Sequence, residues 1–500
     1  MTFLNKLSQR SIPWYPLGML GVFLFSLTLR FWGLTRFNAF VFDEVYYAKF
    51  ANDYLTKTPF FNAHPPLSQY IIALGILIGS HLPFGKDAMN GLTGSMLSPW
   101  DYRWFNAFTG SFIPLAIGSL AYHLTKRKSY SFLAAFLACF DALFIVESRY
   151  ALNNIYLVLF GLLGQIFFLK ALAKPSKQWS LIVISGIWFG MSACIKWNGL
   201  WFLLGIYLLL MSAFAMAFIQ REVPRINSNL LGKHPLTNFL YDITHLKFPK
   251  LFLGLLVVPI VVYSVAWIPH LVQNPSPNFW QMQEEILGYH QRIKSGPDVH
   301  PYCSTWYSWI LMLRPVVYFY QSTSIDKPSD PVLPSLPQGM NEVIFDVHAM
   351  GNPFLWWFSA LAIFLLLWLL ADRVIFWLTT RNSDDISQVE TSPIFRFPPP
   401  AEMWVVFYLI VNWAANLLPW AKVTRCIFLY HYMGSSVFAS LALAWWIDRW
   451  LHSPKKYLRG IGITIIFTVI AAFIFWLPVH LGLPLSPDGW KMRMLLQSWI

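Results

Sequence analysis

Long apolar runs recur along the whole chain and alternate with short polar stretches. A helix needs about 20 residues to cross a hydrocarbon core about 30 Å thick. Apolar windows of this kind lie near 16–35, 105–124, 130–147, 155–172, 179–195, 199–219, 251–268, 353–371, 402–419, 428–447 and 460–479. The pattern predicts an all-α, polytopic membrane protein with about eleven transmembrane helices. A shorter apolar stretch at 67–82 follows Pro65 and Pro66, and we interpret it as an interfacial or re-entrant helix.

The basic residues cluster between alternate spans, so that all the clusters fall on one side of the predicted membrane. They lie at 6–10, 126–128, 170–177, 221–250, 373–396 and 449–459. By the positive-inside rule that side is cytoplasmic, which predicts a protein of the cell (inner) membrane with its N-terminus inside and its C-terminus outside.

The opposite side collects two long loops, and these loops divide the chain into three parts. We expect an N-terminal transmembrane catalytic module at 1–268, which includes the first extracytoplasmic loop at 36–104 and its interfacial helices. A second large extracytoplasmic loop follows at 269–352. The remainder, 353–500, is predicted to be a C-terminal module of four spans.

Composition supports the membrane interpretation and excludes several other classes of protein. Hydrophobic residues make up 56% and charged residues 12% of the chain, whereas soluble domains carry about 25% charged residues. The net charge of +13 does not indicate nucleic-acid binding, because the basic residues sit in short loops as membrane topology requires. The four cysteines show neither metal nor disulfide spacing and are interpreted as packing residues. No nucleotide-binding glycine pattern or Asp-x-Asp motif appears, which disfavours a soluble nucleotide-sugar donor.

Two adjacent carboxylates, Asp43 and Glu44, follow the first span and lie among aromatic residues at the predicted outer boundary. Charge at that depth is costly unless it is used or paired. Neighbouring residues on a helix point about 100° apart, so one carboxylate can face a cleft as a general base while the other is held by a partner. The alternative is an acidic pair solvated among the lipid headgroups.

His64 and Arg149 are further candidates on the outer side. Pro65 and Pro66 hold the backbone after His64 extended, which would display the imidazole on a stiff corner; a purely structural histidine is the alternative. Arg149 lies at the outer end of the third predicted span, and its planar set of donors suits a phosphate group. Alternatively, Arg149 pairs with Glu147 or with the carboxylates of the first loop.

The remaining outer-side candidates are polar residues interleaved with aromatic ones. They are Lys196, Arg314, Lys422, Arg425 and His431. Cations among aromatic rings suit an anionic lipid headgroup that carries a sugar. For each residue alone, the alternative is anchoring at the membrane interface.

Eight segments of the chain resemble, in order and spacing, the protein O-mannosyltransferases. They are Phe42-Asp43-Glu44-Val45-Tyr46-Tyr47, His64-Pro65-Pro66-Leu67, Glu147-Ser148-Arg149-Tyr150-Ala151-Leu152, Ile195-Lys196-Trp197-Asn198-Gly199-Leu200, His300-Pro301-Tyr302, Leu313-Arg314-Pro315, Met350-Gly351-Asn352-Pro353 and Pro484 through Trp499. The resemblance implies a membrane glycosyltransferase of the GT-C type. Such an enzyme moves mannose from a polyprenyl-phosphate-mannose donor onto serine or threonine of exported proteins, with inversion at the sugar carbon.

The resemblance also implies roles for particular residues. It places the catalytic carboxylate on Asp43, with Glu44 assisting, and it matches Arg149 to a functionally important arginine. Substrate-binding roles are expected for His64, Arg149, Asn154, Lys196, Arg314, Arg425 and His431. Basic side chains would stabilise the departing lipid phosphate, so we expect neither metal nor cofactor.

The chain departs from the family pattern in two places. Asn153-Asn154 stands where relatives commonly have an aspartate, so we expect a hydrogen-bonding role there in place of acid–base chemistry. The loop at 269–352 is too short for the β-rich module of eukaryotic relatives, which indicates a bacterial-type member.

Two alternatives remain at this stage. A GT-C transferase with another lipid-linked sugar, or with a lipid or glycan acceptor, would share the same plan. A transporter would show polar groups near mid-membrane and an internal repeat, and neither is clear in the sequence. The acceptor proteins, the oligomeric state and any association with secretion machinery stay open.

Overall fold

A computed structural model describes residues 13–222, 242–326, 330, 332–380 and 402–500. Its α-helices are α1 (Trp14–Phe31), α2 (Glu44–Leu55), α3 (Leu67–Gly79), α4 (Pro99–Gly110), α5 (Ile113–Thr125), α6 (Lys128–Ala138), α7 (Ala142–Arg149), α8 (Asn154–Ala173), α9 (Gln178–Ala193), α10 (Leu200–Glu222), α11 (Phe248–Phe252), α12 (Val258–Ala266), α13 (Ile268–Gln273), α14 (Phe279–Arg292), α15 (Pro353–Thr380), α16 (Met403–Leu417), α17 (Met433–Leu451), α18 (Lys456–Leu481) and α19 (Pro487–Lys491). The strands are β1 (Asn90–Leu92), β2 (Ser95–Leu97), β3 (Val316–Ser324) and β4 (Glu342–Ala349).

Each of the eleven predicted spans coincides with a helix or a run of helices. Within the described residues, eight are long and apolar enough to cross a membrane, and nine if the bent pair α6 and α7 counts as one span. The other two predicted spans correspond to α9, which has 16 residues, and to α17. The chain is therefore a multi-pass helical membrane protein, and the count of eleven stays a prediction.

The span predicted at 130–147 is broken. Helices α6 and α7 meet at an angle of 59°, and the Asp141 carboxylate accepts a hydrogen bond from the backbone N–H of Leu143 at 3.2 Å, which caps the start of α7. All eight residues of α7 are buried. The bend carries Glu147 and Arg149 inside the protein, beneath the first loop.

The two long loops that are predicted to lie outside the cell are called the outer loops here. The first, at 36–104, contains α2, α3 and the small hairpin β1–β2. Helix α3 has 13 residues, which is too short for a full span, in agreement with the prediction for 67–82. Its N-terminus is tied to the membrane body, because the N–H of Leu67 donates to the carbonyl of Cys194.

The second outer loop contains the amphipathic helix α14 and a longer antiparallel hairpin, β3–β4, which the sequence pattern did not predict. The hairpin lies against the first loop: the Phe37 ring is 4.3 Å from that of Phe319 in β3 and 5.9 Å from that of Phe345 in β4. On its other edge, β4 pairs with Leu485 through Ile344. The two outer loops thus form one packed layer.

A disulfide joins Cys303 to Cys426. The prediction that all four cysteines are packing residues is therefore wrong for these two. A bridge between residues 123 positions apart links two loops that only the fold brings together, so sequence spacing gives no sign of it. Cys139 and Cys194 are buried and free.

On the side predicted to be cytoplasmic, the ends of three helices are joined by ion pairs. Arg127 contacts Asp448 at 2.6 Å, and Arg449 pairs with Glu402. The basic residues at 6–10, and parts of the clusters at 221–250 and 373–396, lie outside the described residues.

Candidate active site

The backbone that precedes Asp43 adopts an unusual conformation. Phe42 has a φ of 54°, which is costly for a bulky residue and persists only where surrounding contacts impose it. The contact here is a stack of the Phe42 ring on Tyr318, with centroids 4.1 Å apart and planes 7° from parallel. The stack stabilises the backbone turn at Phe42 that positions Asp43.

Asp43 occupies the N-cap position of α2 but does not act as a cap, because its side chain accepts no hydrogen bond from the helix. An aspartate at this position usually satisfies a free backbone N–H. Burial raises the pKa of Asp43 to about 6, and the positive charge of Lys196 acts in the opposite direction. The carboxylate thus does not cap α2, and its pKa lies near neutrality, as a general base requires.

Glu44 is fully buried and points the other way. Its carboxylate accepts hydrogen bonds from Nε and Nη2 of Arg103 at 2.9 and 2.7 Å, and from the backbone N–H groups of Val41 and Ala151, both at 2.8 Å. It therefore ties the first loop to α4 and to the segment after α7. These contacts fix the backbone next to Asp43.

A buried chain of hydrogen bonds runs from the second loop to Lys196. The Tyr318 hydroxyl donates to one oxygen of Glu147, and Asn154 Nδ2 donates to the other at 3.1 Å. Lys196 Nζ donates to Asn154 Oδ1 at 2.9 Å and lies 5.5 Å from the centre of the Tyr430 ring. Asn154 thus has a hydrogen-bonding role, as expected from the absence of aspartate there.

A cavity of about 310 Å³ opens beside Lys196. Its cations are Lys196, Lys422 and Arg425, and no carboxylate belongs to the lining among the described residues. Trp197, Trp201, Trp420 and aliphatic side chains of α14 supply apolar walls. Positive charge and aromatic surface together suit an anionic group with an apolar or sugar portion.

Three histidines line the same cavity: His64, His290 and His431. The rings of His64 and His290 are 5.2 Å apart, and His64 also stacks on Tyr47. Burial, together with the positive charge of Lys196, lowers the pKa of His64 well below its ordinary value. Neutral imidazoles can donate hydrogen bonds to a phosphate without adding charge.

Asp43 does not line this cavity directly. It lies close enough to Lys196, Tyr430 and Tyr47 to interact electrostatically with each of them. Tyr47, one turn further along α2, contacts the cavity through His64. The structure therefore brings together Asp43, His64, Asn154, Lys196, Arg425 and His431.

Arg149 is not among the residues that line the cavity, and its role as a phosphate ligand stays a prediction. Nη1 donates to the carbonyls of Leu29, Arg30 and Trp32, and Nη2 donates to that of Gly33 at 2.9 Å. Helix C-termini leave carbonyls without partners, and Arg149 satisfies those of α1. The side chain is 2% exposed. Its Nη1 and Nη2 groups are committed to the fold, and Nε has no hydrogen-bond partner among the described residues.

Arg314 is likewise structural. Its Nη2 donates to the carbonyl of Pro301 at 2.8 Å, and its Nη1 donates to that of Ser498 at 2.6 Å. It fastens the second loop to the last residues of the chain, away from the cavity. These bonds do not bring Arg314 to the cavity, and its contact with substrate stays a prediction.

The fold also adds residues that the sequence analysis did not select. Glu147, Tyr318 and Tyr430 surround Lys196 and Asp43, and His290 reaches the cavity from α14. Tyr318 lies on a strand that was not predicted. His290 could have been noticed from the amphipathic pattern of 279–292.

Solved structures share this fold. The fold is similar to the S. cerevisiae protein O-mannosyltransferase Pmt1-Pmt2 complex bound to the sugar donor, with a TM-score of 0.66, 14% identity and coverage of 100% of this chain and 94% of that chain. It is also similar to the Archaeoglobus fulgidus oligosaccharyltransferase, with a TM-score of 0.50, 13% identity and coverage of 94% and 55%. This is the fold of membrane glycosyltransferases of the GT-C class.

Residues 21–273 match the family described as dolichyl-phosphate-mannose-protein mannosyltransferase, and residues 276–499 match the C-terminal four TMM region of protein-O-mannosyltransferase. The chain belongs to this protein mannosyltransferase family.

Curated relatives extend over nearly the whole chain. The polyprenol-phosphate-mannose--protein mannosyltransferase of Mycolicibacterium smegmatis is 23% identical over 92% of this chain and 87% of its own length. The Mycobacterium tuberculosis protein of the same name is 21% identical over 94% and 88%.

Proposed function

We propose that this protein transfers mannose from a polyprenyl-phosphate-mannose donor to serine and threonine hydroxyls of exported proteins. The observation that carries the proposal is that the Asp43 carboxylate lies close enough to Lys196 to interact with it electrostatically, while Lys196 itself lines a cationic cavity. Family membership and the relatives that align along the chain support the choice of mannose and of protein acceptors.

In the proposed reaction the acceptor oxygen forms a bond to the sugar carbon while its proton passes to Asp43. The bond between that carbon and the lipid phosphate oxygen breaks on the opposite face, which inverts the carbon, and the electron pair leaves on the phosphate. Lys196 and Arg425 stabilise the growing negative charge, while His64 and His431 donate hydrogen bonds. The proposal routes no step through a metal.

We place this chemistry on the extracytoplasmic face of the cell (inner) membrane, with the N-terminus inside and the C-terminus outside. The disulfide between Cys303 and Cys426 adjoins the cavity, because Arg425 lines it. Disulfides persist in oxidising compartments. We also retain the division into 1–268, 269–352 and 353–500. The boundary between the two family matches, near residue 275, supports its first division only, because the second match runs across residues 352 and 353.

The direct test incubates sealed membrane vesicles with labelled polyprenyl-phosphate-mannose and a membrane-impermeant serine/threonine peptide. We expect label on the peptide only when the extracytoplasmic face is exposed. Membranes without the protein are the control. Label that appears on a lipid and never on the peptide would contradict the proposal, and peptide labelling from the cytoplasmic face would contradict the orientation.

The disulfide gives a second prediction, because it fixes the cavity wall that carries Arg425. Arg425 donates to the carbonyl of Cys426 at 3.0 Å, and the N–H of Cys426 donates to the carbonyl of Lys294. We expect the Cys303→Ser/Cys426→Ser variant to lose about 2–4 kcal/mol of stability and to raise the donor KM about tenfold, equivalent to about 1.4 kcal/mol.

The control for this prediction is a reductant. It should raise the donor KM of the wild-type protein and leave the double variant unchanged. Cys139→Ala, at a buried free cysteine, should retain the reductant response. A donor KM that is insensitive to both the substitutions and the reductant would show that the bridge does not position Arg425.

A further inference from the structure

The register of the hairpin shows which backbone groups of β3 point outward. Ile344 in β4 donates to the carbonyl of Leu485 at 2.8 Å and accepts from its N–H at 3.1 Å, so its backbone groups point away from β3. Ser322 lies opposite Ile344 and is thus in a non-hydrogen-bonded pair. Since these pairs alternate, Tyr320, Ser322 and Ser324 direct their N–H and C=O groups away from β4.

These outward groups form an open strand edge. None of the three residues has a backbone hydrogen-bond partner on that side among the described parts of the chain. Tyr320 is 47% exposed, and Ser322 and Ser324 are partly exposed. Exposed edges are usually protected by charges, proline or a covering element, yet the sequence of β3, Val-Val-Tyr-Phe-Tyr-Gln-Ser-Thr-Ser, contains neither charge nor proline.

The buried end of the same strand reaches the candidate base. Tyr318 precedes Tyr320 by two residues, stacks on Phe42 and donates to Glu147. Two residues of an extended chain cover about 7 Å. A polypeptide that runs along the edge from Ser324 towards Tyr320 therefore approaches Asp43 within a few further residues.

We propose that the acceptor polypeptide docks as an extended strand on the outward edge of β3. Residues on one side of its acceptor serine or threonine would pair with Tyr320, Ser322 and Ser324, and the acceptor hydroxyl would reach Asp43. Strand addition recognises the main chain, with side chains read at alternate positions, so the site takes unfolded or extended segments of varied sequence. This inference rests on the proposed function, because it names how that function's acceptor is held.

The test is a backbone N-methyl scan of an acceptor peptide with the wild-type protein. Each peptide carries one N-methyl group, which removes a single N–H donor. We expect the peptide KM to rise about three- to tenfold at every second position on one side of the acceptor residue, and to stay near the parent value at the positions between. The donor KM should not change.

A substitution in the protein gives a second measurement. Ser322→Pro removes an outward N–H and spares the pairing with β4, so it should raise the peptide KM by a similar factor. Ser322→Ala is the matched control and should behave as wild type, because it keeps the N–H.

The outcomes separate this inference from the proposed function. A parent peptide that receives no mannose contradicts the function itself. If the parent peptide receives mannose but the scan shows no two-residue alternation, only the docking of the acceptor on the β3 edge is contradicted. This conclusion does not depend on the stability of the proline variant. If Ser322→Pro disrupts a dimer while the scan is flat, a second copy of the chain occupies the edge and the inference is wrong.

Discussion

The Asp43→Asn variant should retain its fold and lose turnover by about 10²–10⁴-fold, the usual contribution of a general base. Asparagine keeps the shape of the side chain but cannot accept the proton of the attacking hydroxyl. Initial rates with saturating donor and peptide measure the loss. Donor KM should change little, since Asp43 does not line the cavity.

The pH profile gives the same prediction an independent readout. Burial raises the pKa of Asp43 to about 6, so kcat/KM of the wild type should fall about tenfold per pH unit below 6 and level off above it. The residual activity of Asp43→Asn should lack this limb. Asp298→Asn, an exposed position on the second loop, is the matched control and should keep the wild-type profile.

The Asp43→Asn substitution should lower activity without lowering the stability of the fold. Because the folded pKa of Asp43 is raised, the cost of burying the ionised carboxylate builds up between about 3.9, the ordinary aspartate value, and about 6, and it is fully present at pH 7. The unfolding temperature of Asp43→Asn at pH 7 should therefore be no lower than that of the wild type. A variant that is well folded and fully active would show that Asp43 is not the base.

The sequence was sufficient to find residues whose position follows from the membrane boundary. Asp43, His64, Lys196, Arg425 and His431 stand at the outer ends of apolar runs, and membrane topology alone places such residues on one face. The resemblance to a family added the order of the motifs. The fold places His64, Lys196, Arg425 and His431 around one cavity, with Asp43 close to Lys196.

Membrane topology does not predict the direction in which a side chain points. Arg149 and Lys196 both lie at outer helix boundaries, yet Arg149 turns to the carbonyls that end α1 while Lys196 faces the cavity. Apolar periodicity does not reveal the bend between α6 and α7, and Arg149 lies at the end of α7. The β3–β4 hairpin and the disulfide were missed for a related reason, because both depend on contacts between distant segments.

Substitution of Glu44 should lower stability, whereas substitution of Asp43 should lower turnover. Glu44→Ala removes the counter-charge of Arg103, which is fully buried, and the loss of one partner of a buried ion pair costs about 3–5 kcal/mol. We expect a large drop in the unfolding midpoint of the detergent-solubilised protein and a loss of activity that follows the loss of folded protein. Thermal unfolding and activity per folded molecule are measured together.

A double variant separates structure from chemistry at Glu44. Glu44→Leu/Arg103→Met replaces the ion pair with apolar side chains, and such replacements are often close to neutral for stability. The double variant should therefore have a higher unfolding temperature than Glu44→Ala. Glu44→Gln should keep part of the hydrogen-bond network and measurable turnover, because Asp43 remains. A Glu44→Gln variant that is as stable as the wild type but as inactive as Asp43→Asn would contradict a purely structural role. The contacts of Glu44 to Arg103, Val41 and Ala151 would then not explain the loss of turnover, and Glu44 would itself take part in the chemistry.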